Sequence, residues 1–276
     1  MILSGKAKIA GVMGWPVSHS KSPRLHGYWL EQYGIDGAYI PIQVPPGQFF
    51  NVLTSLAAAG FRGVNVTVPH KQQAYEACGT LDDDARRIGA VNTILFGNSG
   101  EIQGGNTDAF GFIENVRQNA DWQGGVSVVL GAGGAARAVC VALIDAGATD
   151  IRLVNRTASR TESLAAEFGP VISVHAWNNR DNILNDAAIL VNTTSLGMVG
   201  QPPLELKLDA LPDTAIVNDI VYAPLETNLL AQARARGNTV VDGLGMLLHQ
   251  ARPGFEAWFG VRPEVTNALR NFVLEP

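Results

Sequence analysis

The sequence predicts an α/β protein of two domains, the first built on a mostly parallel sheet and the second on a Rossmann-like, doubly wound one. Three observations carry that expectation. Short apolar stretches, alternating or continuous, recur along the chain as candidate strands. Helix-like segments separate many of them, giving the βα alternation of parallel sheets. The 276 residues suffice for two ordinary domains, and a composition 46% hydrophobic and 16% charged supports a substantial core.

In chain order, KIAGVMG (8–14) reads as a strand. SPRLHGYWLEQYG (22–34) reads as a helix with Ser22 as N-cap and Pro23 at its first position. AYIPIQV (38–44) is a second strand and GQFFNVLTSLAAAG (47–60) a second helix. GVNVTVP (63–69) is a third strand, in which Val64, Val66 and Val68 alternate with Asn65 and Thr67 until Pro69 forces a turn. Lys71 follows. AVNTILF and EIQGGN flank Gly97-Asn98-Ser99-Gly100, a hairpin signal, so the first sheet is expected to have an antiparallel edge.

A second series begins after Asp121: VSVVLGAGG (126–134), IRLVNR (151–156), VISVHAW (171–177), AILVNTTS (188–195) and AIVNDIVY (215–222). The closing segments GMLLHQARPGFEAWFG and PEVTNALRNFVLE have a helical pattern and do not complete a third domain. The expected division is residues 1–107 with 243–276 as one domain and 108–242 as the other.

Composition narrows the function. A net charge of -5 and the lack of a basic run argue against nucleic acid as a partner. Cys78 and Cys140, the two cysteines, form no CxxC and no metal-ligand spacing, which suits a reducing cytoplasm and gives no metal site. The N-terminus lacks the pattern of a signal peptide, and no stretch reaches the roughly 20 apolar residues of a membrane span. A cytoplasmic protein without membrane partners is expected.

GAGGAA (131–136) stands between the strand VSVVL and a helix-like segment, and fits the G-x-G-x-x-A form of a dinucleotide loop. Its glycines allow a tight turn and close approach to a pyrophosphate, for which the helix N-terminus supplies amide donors. A glycine-rich packing turn is the plainer alternative. The next strand ends in Asn155-Arg156-Thr157-Ala158-Ser159-Arg160, with no carboxylate to bind ribose hydroxyls or to repel a 2′-phosphate. Arg156 and Arg160 suit that phosphate through paired charged hydrogen bonds, so NADP is the expected cofactor.

Toward the N-terminus, Ser18, Ser20 and Ser22 gather near a helix start, where hydroxyls beside free amides can cradle a carboxylate or simply form turns and caps. Asn106 and Asp108 stand at the start of the helix joining the two halves, where Asp108 serves equally as a cap.

Taken together, SHSKSPRLH, NVTVPHK, GAVNT, GNTD, GAGGAAR, NRTASR, NTTSLGM, DIVYAPLET and DGLGM with Gln250 resemble the shikimate dehydrogenase family, in order and across nearly the whole chain. The resemblance implies reversible reduction of 3-dehydroshikimate to shikimate with NADPH, in aromatic amino-acid biosynthesis; whether the chain acts as a monomer or homodimer is left open by the sequence. It implies a substrate domain and an NADP domain facing each other across a cleft. Residue by residue, it implies carboxylate contacts at Ser20 and Ser22, and substrate contacts at Asn65, Thr67, Asn92, Asp108, Tyr222 and Gln250. Lys71 matches the catalytic lysine, with Asp108 beside it in function. The cofactor loop matches Gly131, Ala132, Gly133, Gly134 and Ala135. The 2′-phosphate clamp matches Asn155, Arg156, Thr157 and Arg160, and Met198, Gly243 and Met246 match the nicotinamide surroundings. Gly27-Tyr28 and Ala109 depart from the family's common residues, which leaves quinate as a second substrate open. A quinate/shikimate dehydrogenase of broader specificity and a non-catalytic NADP-binding sensor are the competing readings.

Overall fold

The computed structural model describes residues 2–97 and 99–275. Their contacts divide the chain into two units, Met1–Thr107 with Gln250–Pro276, and Asp108–His249.

In the first unit, strands β1 (Lys8–Gly14), β2 (Gly37–Gln43), β3 (Gly63–Val66), β4 (Thr80–Leu81), β5 (Thr93–Phe96) and β6 (Ile102–Gly105) form one sheet in the order β2-β1-β3-β5-β6-β4. The pairs β1–β2, β1–β3 and β4–β6 are parallel. Only β5 runs against its neighbours, and it lies inside the sheet rather than at the expected edge. The reason is that β6 and the two-residue β4 add beyond it. Of the expected hairpin turn, Asn98 lies outside the described residues; Gly97 N donates to Glu101 O at 2.8 Å.

Helices α1 (Ser22–Gln32), α2 (Phe49–Ala58), α3 (Lys71–Ala77) and α4 (Asp83–Ile88) accompany this sheet. Met13, Val64, Val66 and Ile94 from the strands pack with Phe49, Leu53 and Ala74 from α2 and α3. Each such burial of a large apolar side chain contributes about 1.5–3 kcal/mol. Ser22 is not the N-cap of α1. Lys21 takes that position without a side-chain bond, and the Ser22 amide donates instead to Ser20 Oγ at 3.3 Å.

The second unit holds α5 (Asp108–Asn119), then strands β7 (Gly125–Leu130), β8 (Ala148–Asn155), β9 (Ile172–Ala176), β10 (Ile189–Asn192), β11 (Ile216–Asp219) and β12 (Thr239–Val241). Their order is β12-β11-β10-β7-β8-β9, with parallel pairing throughout. Counted from β7, this is the 3-2-1-4-5-6 arrangement of a doubly wound dinucleotide fold, whose switch point lies between β7 and β10. The helices between strands are α6 (Gly134–Asp145), α7 (Ala158–Phe168) and α8 (Asn228–Arg236).

Helix α9 (Gly243–Phe259) belongs to the second unit as far as His249, so the last segment of the first unit begins at Gln250 and not at residue 243. Local bonding explains the position. Asn115 Nδ2 of α5 donates to Asp242 O at 2.7 Å, and His249 Nε2 meets Gln118 Oε1 at 2.8 Å. Helix α10 (Asn267–Leu274), capped by Thr266 Oγ1, completes the first unit.

Candidate active site

In the first unit a polar cluster surrounds the C-terminal end of β3. Asn65 lies in β3 and is 7% exposed. Its Oδ1 accepts from Tyr39 Oη at 2.6 Å, while its Nδ2 donates to Asn92 O and to Thr93 Oγ1, each at 3.1 Å. Burial holds the Tyr39 hydroxyl protonated well above its ordinary range. Asn92 Oδ1 accepts from Thr107 N at 3.0 Å, and Asn92 Nδ2 donates to Thr107 Oγ1 at 3.1 Å. Gln250 Oε1 lies 3.4 Å from Thr107 Oγ1. Three expected site residues, Asn65, Asn92 and Gln250, thus share one hydrogen-bonded network.

The network runs through Tyr39, Thr93 and Thr107, which the sequence reading did not assign. Thr93 and Thr107 stand within the GAVNT and GNTD motifs, the only sequence signal for them. Tyr39 carried none beyond its place in a strand.

Thr67 falls outside β3, which ends at Val66 where its pairing with β1 and β5 stops. The alternation therefore breaks: Val64 and Val66 are buried, but Val68 is 68% exposed. Thr67 is half-buried, and its amide donates to Met13 O at 2.9 Å. Lys71 is half-buried at the start of α3 and follows a pinned residue. His70 is fully buried, with Nε2 2.8 Å from Val44 O and its ring stacked near Phe49. Ser20 is half-buried just before α1.

In the second unit, Asp108 is buried at the first position of α5. At the end of β7, Gly131 has φ +111, and a Cβ there would come 2.5 Å from Thr193 Oγ1. Glycine is required at that turn. Gly133, the N-cap of α6, and Gly134 face open space where a Cβ would stand. Ala132 and Ala135 are half-buried. The result is an uncrowded cradle on the amides of a helix N-terminus, which fits a dinucleotide pyrophosphate.

Asn155 ends β8, and its Nδ2 donates to Thr157 O at 3.0 Å, shaping the turn into α7. Thr157 is the N-cap of α7 without a side-chain cap bond, and Arg156, Thr157 and Arg160 are exposed. Two further strand ends are built alike. Asn192 Oδ1 accepts from Thr194 N and Asp219 Oδ1 from Val221 N, both at 3.0 Å, and Asn192 Nδ2 donates to Asp219 Oδ1 at 3.0 Å. These side chains replace strand pairing, which is why β10 and β11 stop before the expected Ser195 and Tyr222. Burial pushes the Asp219 carboxyl up to about 6, opposed by hydrogen bonds from Thr227, Val221 and Asn192.

Met198 is 38% exposed beyond β10, and Tyr222 is half-buried beyond β11, its hydroxyl raised by burial. Gly243 opens α9, where a Cβ would come 2.2 Å from Ile220 O, and Met246 is 9% exposed one turn later.

Three family models match the chain. Residues 12–94 match the shikimate dehydrogenase substrate binding domain, residues 114–198 match shikimate / quinate 5-dehydrogenase, and residues 243–269 match the shikimate 5′-dehydrogenase C-terminal domain. The chain is 58% identical to shikimate dehydrogenase (NADP(+)) of Paramagnetospirillum magneticum over 275 residues, covering 99% of this chain and 100% of that protein. It belongs to the shikimate dehydrogenase family.

Solved members of the shikimate dehydrogenase fold agree. Shikimate 5-dehydrogenase from Thermus thermophilus in complex with NADP(H) and shikimate is 36% identical with a TM-score of 0.87, over 96% of this chain and 98% of that one. Quinate dehydrogenase from Corynebacterium glutamicum in complex with NAD is 28% identical with a TM-score of 0.90, over 97% and 99%. Ser20, Ser22, Asn65, Thr67, Lys71 and Asn92 fall within the span matched to the substrate binding domain. Asp108 and Tyr222 fall outside all three matched spans.

Proposed function

We propose that this chain catalyses the reversible, NADPH-dependent reduction of 3-dehydroshikimate to shikimate, as a cytoplasmic enzyme of chorismate and aromatic amino-acid biosynthesis. The observation that carries the reading is the buried network joining Asn65, Asn92 and Gln250 through Thr93 and Thr107, with Tyr39 bonded to Asn65. Polar side chains held this firmly in one place suit a small substrate rich in hydroxyls with a single carboxylate.

Ser20 and Ser22 donate hydroxyl hydrogens to the carboxylate. Asn65, Thr67, Asn92 and Gln250 fix the ring, with Tyr222 on the substrate side. The cofactor would be held by the Gly131–Ala135 cradle and, at its 2′-phosphate, by Asn155, Arg156, Thr157 and Arg160. Met198, Gly243 and Met246 would surround its nicotinamide. When bound, it supplies the hydride that the substrate's carbonyl carbon accepts. As that carbon is reduced, its oxygen becomes an alkoxide. The Lys71 ammonium stabilises the growing charge and gives it a proton; in the reverse direction the amine removes that proton. The Asp108 carboxylate orients Lys71 and accepts a bond from a ring hydroxyl.

A broader quinate/shikimate activity is the second reading, favoured by the likeness to a quinate dehydrogenase. An NADP-binding sensor without turnover is opposed by the presence of both Lys71 and Asp108. Mixing the protein with NADPH and 3-dehydroshikimate and following NADPH absorbance separates catalyst from sensor. Turnover that depends on both is expected. NADPH binding without turnover would establish the sensor instead.

A further inference from the structure

We propose that Asp219 and Asn192 are positioning residues of the cofactor site, which together hold the turn after β10 against the dinucleotide loop at Gly131. The inference rests on the assignment of the Gly131–Ala135 cradle to NADP made above.

The two side chains stand in one row across the second sheet. Asn192 ends β10 and pairs with Leu130 of β7 on one side and with Asp219, the last residue of β11, on the other. Both are fully buried. Their row marks the carboxyl ends of the strands beside the switch point, where a doubly wound sheet binds its ligand.

Hydrogen-bond inventory fixes each group. An ionised carboxylate only accepts. Asp219 Oδ1 takes the Asn192 side-chain amide and the Val221 N–H, each at 3.0 Å, and Oδ2 takes the Thr227 hydroxyl at 2.7 Å. Asn192 must therefore turn Nδ2 toward Asp219, and that nitrogen also donates to Leu196 O at 3.3 Å. Its Oδ1 is left facing Thr194, from which it accepts the backbone N–H at 3.0 Å and the hydroxyl at 2.7 Å. Thr194 Oγ1 in turn accepts from Leu196 N at 3.1 Å.

The turn so held lies on the cofactor loop. Thr193 N and Oγ1 both donate to Leu130 O, at 2.8 and 2.7 Å. Thr193 Oγ1 and Thr194 Cγ2 lie 2.5 and 3.2 Å from where a Cβ on Gly131 would stand. Gly131 is thus backed by two threonines whose place is set by Asn192 and, through it, by Asp219. Two apolar side chains would fill the same interior without desolvating a carboxylate. What the fully satisfied polar pair adds is a single orientation for the turn.

The test is the Kd for NADPH, read by nucleotide fluorescence on the full chain, with the urea midpoint measured alongside. Asp219→Ala removes the acceptor and should raise Kd roughly 5- to 30-fold, the scale of a buried hydrogen bond lost or left unsatisfied. Asp219→Asn keeps an oxygen for Asn192 and Val221 and should recover most of that affinity. Thr227→Val breaks only the bond to Oδ2 and the cap of α8, so its urea midpoint should fall while its Kd stays near wild type. Should Asp219→Ala not fold, the half-buried Thr194→Val should raise Kd in its place, and an unchanged value there would overturn the proposal. An unchanged Kd in Asp219→Ala beside a raised one in Gly131→Ala would overturn the role of Asp219 and leave the cradle standing. Equal rises in Asp219→Ala and Thr227→Val, or no recovery in Asp219→Asn, would overturn it too, because affinity would then follow stability alone. An unchanged Kd in Gly131→Ala would remove the cradle assignment and the positioning role together.

Discussion

Lys71 begins a helix whose N-cap, His70, is buried and tied to the Val44 carbonyl, so its amine leaves the backbone from a fixed point. Lys71→Met keeps an unbranched chain and removes the proton. It should lower kcat for shikimate oxidation by roughly 10²–10⁴-fold, the range of a general acid–base contribution, with a much smaller change in KM. Steady-state kinetics check this: a near-normal kcat with a sharply raised KM would make the lysine a binding group. His26 makes a second prediction at this scale. It is fully buried among aromatic rings, and burial lowers its pKa from 6.5 to about 3. The unfolded chain therefore takes up this proton at a higher pH than the folded one. The stability involved is complete above pH 6.5 and is lost as pH falls toward 3, by up to about 1.4 kcal/mol per pH unit. Between pH 6.5 and 5 the wild type should lose about 2 kcal/mol more than His26→Leu, measured by urea unfolding. Parallel pH profiles would contradict this.

At the scale of elements, the ends of β7, β10 and β11 carry the cofactor side of the account. Gly131 stands where backbone strain and the approach of Thr193 both forbid a side chain. Gly131→Ala should cost about 1–3 kcal/mol in stability and weaken NADPH binding, read by urea midpoint and by titration of nucleotide fluorescence. An unchanged affinity would return the loop to a packing role. Asp219 joins β11 to β10 through Asn192 and to α8 through Thr227 Oγ1, which lies 2.7 Å from its Oδ2. Its pKa is raised from 3.8 to about 6, so the folded form holds this proton more tightly. Its contribution to stability is full below about 3.8 and lost as pH rises through 6. Asp219→Asn should abolish that slope between pH 4 and 6, again by urea unfolding; a slope that persists would assign it to other groups.

Most strands were legible at this scale because apolar periodicity is local. β1 follows KIAGVMG residue for residue. Three kinds of feature were not legible. The ends of β3, β10 and β11 depend on where a partner strand stops or where a side chain captures the next amide, and neither leaves a periodic trace. The N-terminus of α1 looked like a serine cap, yet Ser20 Oγ accepts the amide of Ser22 and Lys21 takes the cap. The two-residue β4 and the three-residue β12 are too short to show a period.

For the whole molecule, the doubly wound order of the second sheet was legible because each strand is followed by a connection long enough to cross back. The motifs of the candidate site were likewise readable as an ordered set. The network joining them was not, since Tyr39, Asn65, Thr93, Thr107 and Gln250 meet only once the sheet and the end of the chain have folded together. The boundary at His249 depends on similar long-range bonds from α5.

The central claim is a reaction together with a cofactor, and one set of initial rates tests both: kcat/KM for shikimate and for quinate, each with NADP+ and with NAD+. Arg156 and Arg160, with no carboxylate between Asn155 and Arg160, predict that shikimate with NADP+ gives the highest value by a clear margin. Equal values with NADP+ and NAD+, or a preference for quinate, would contradict the account.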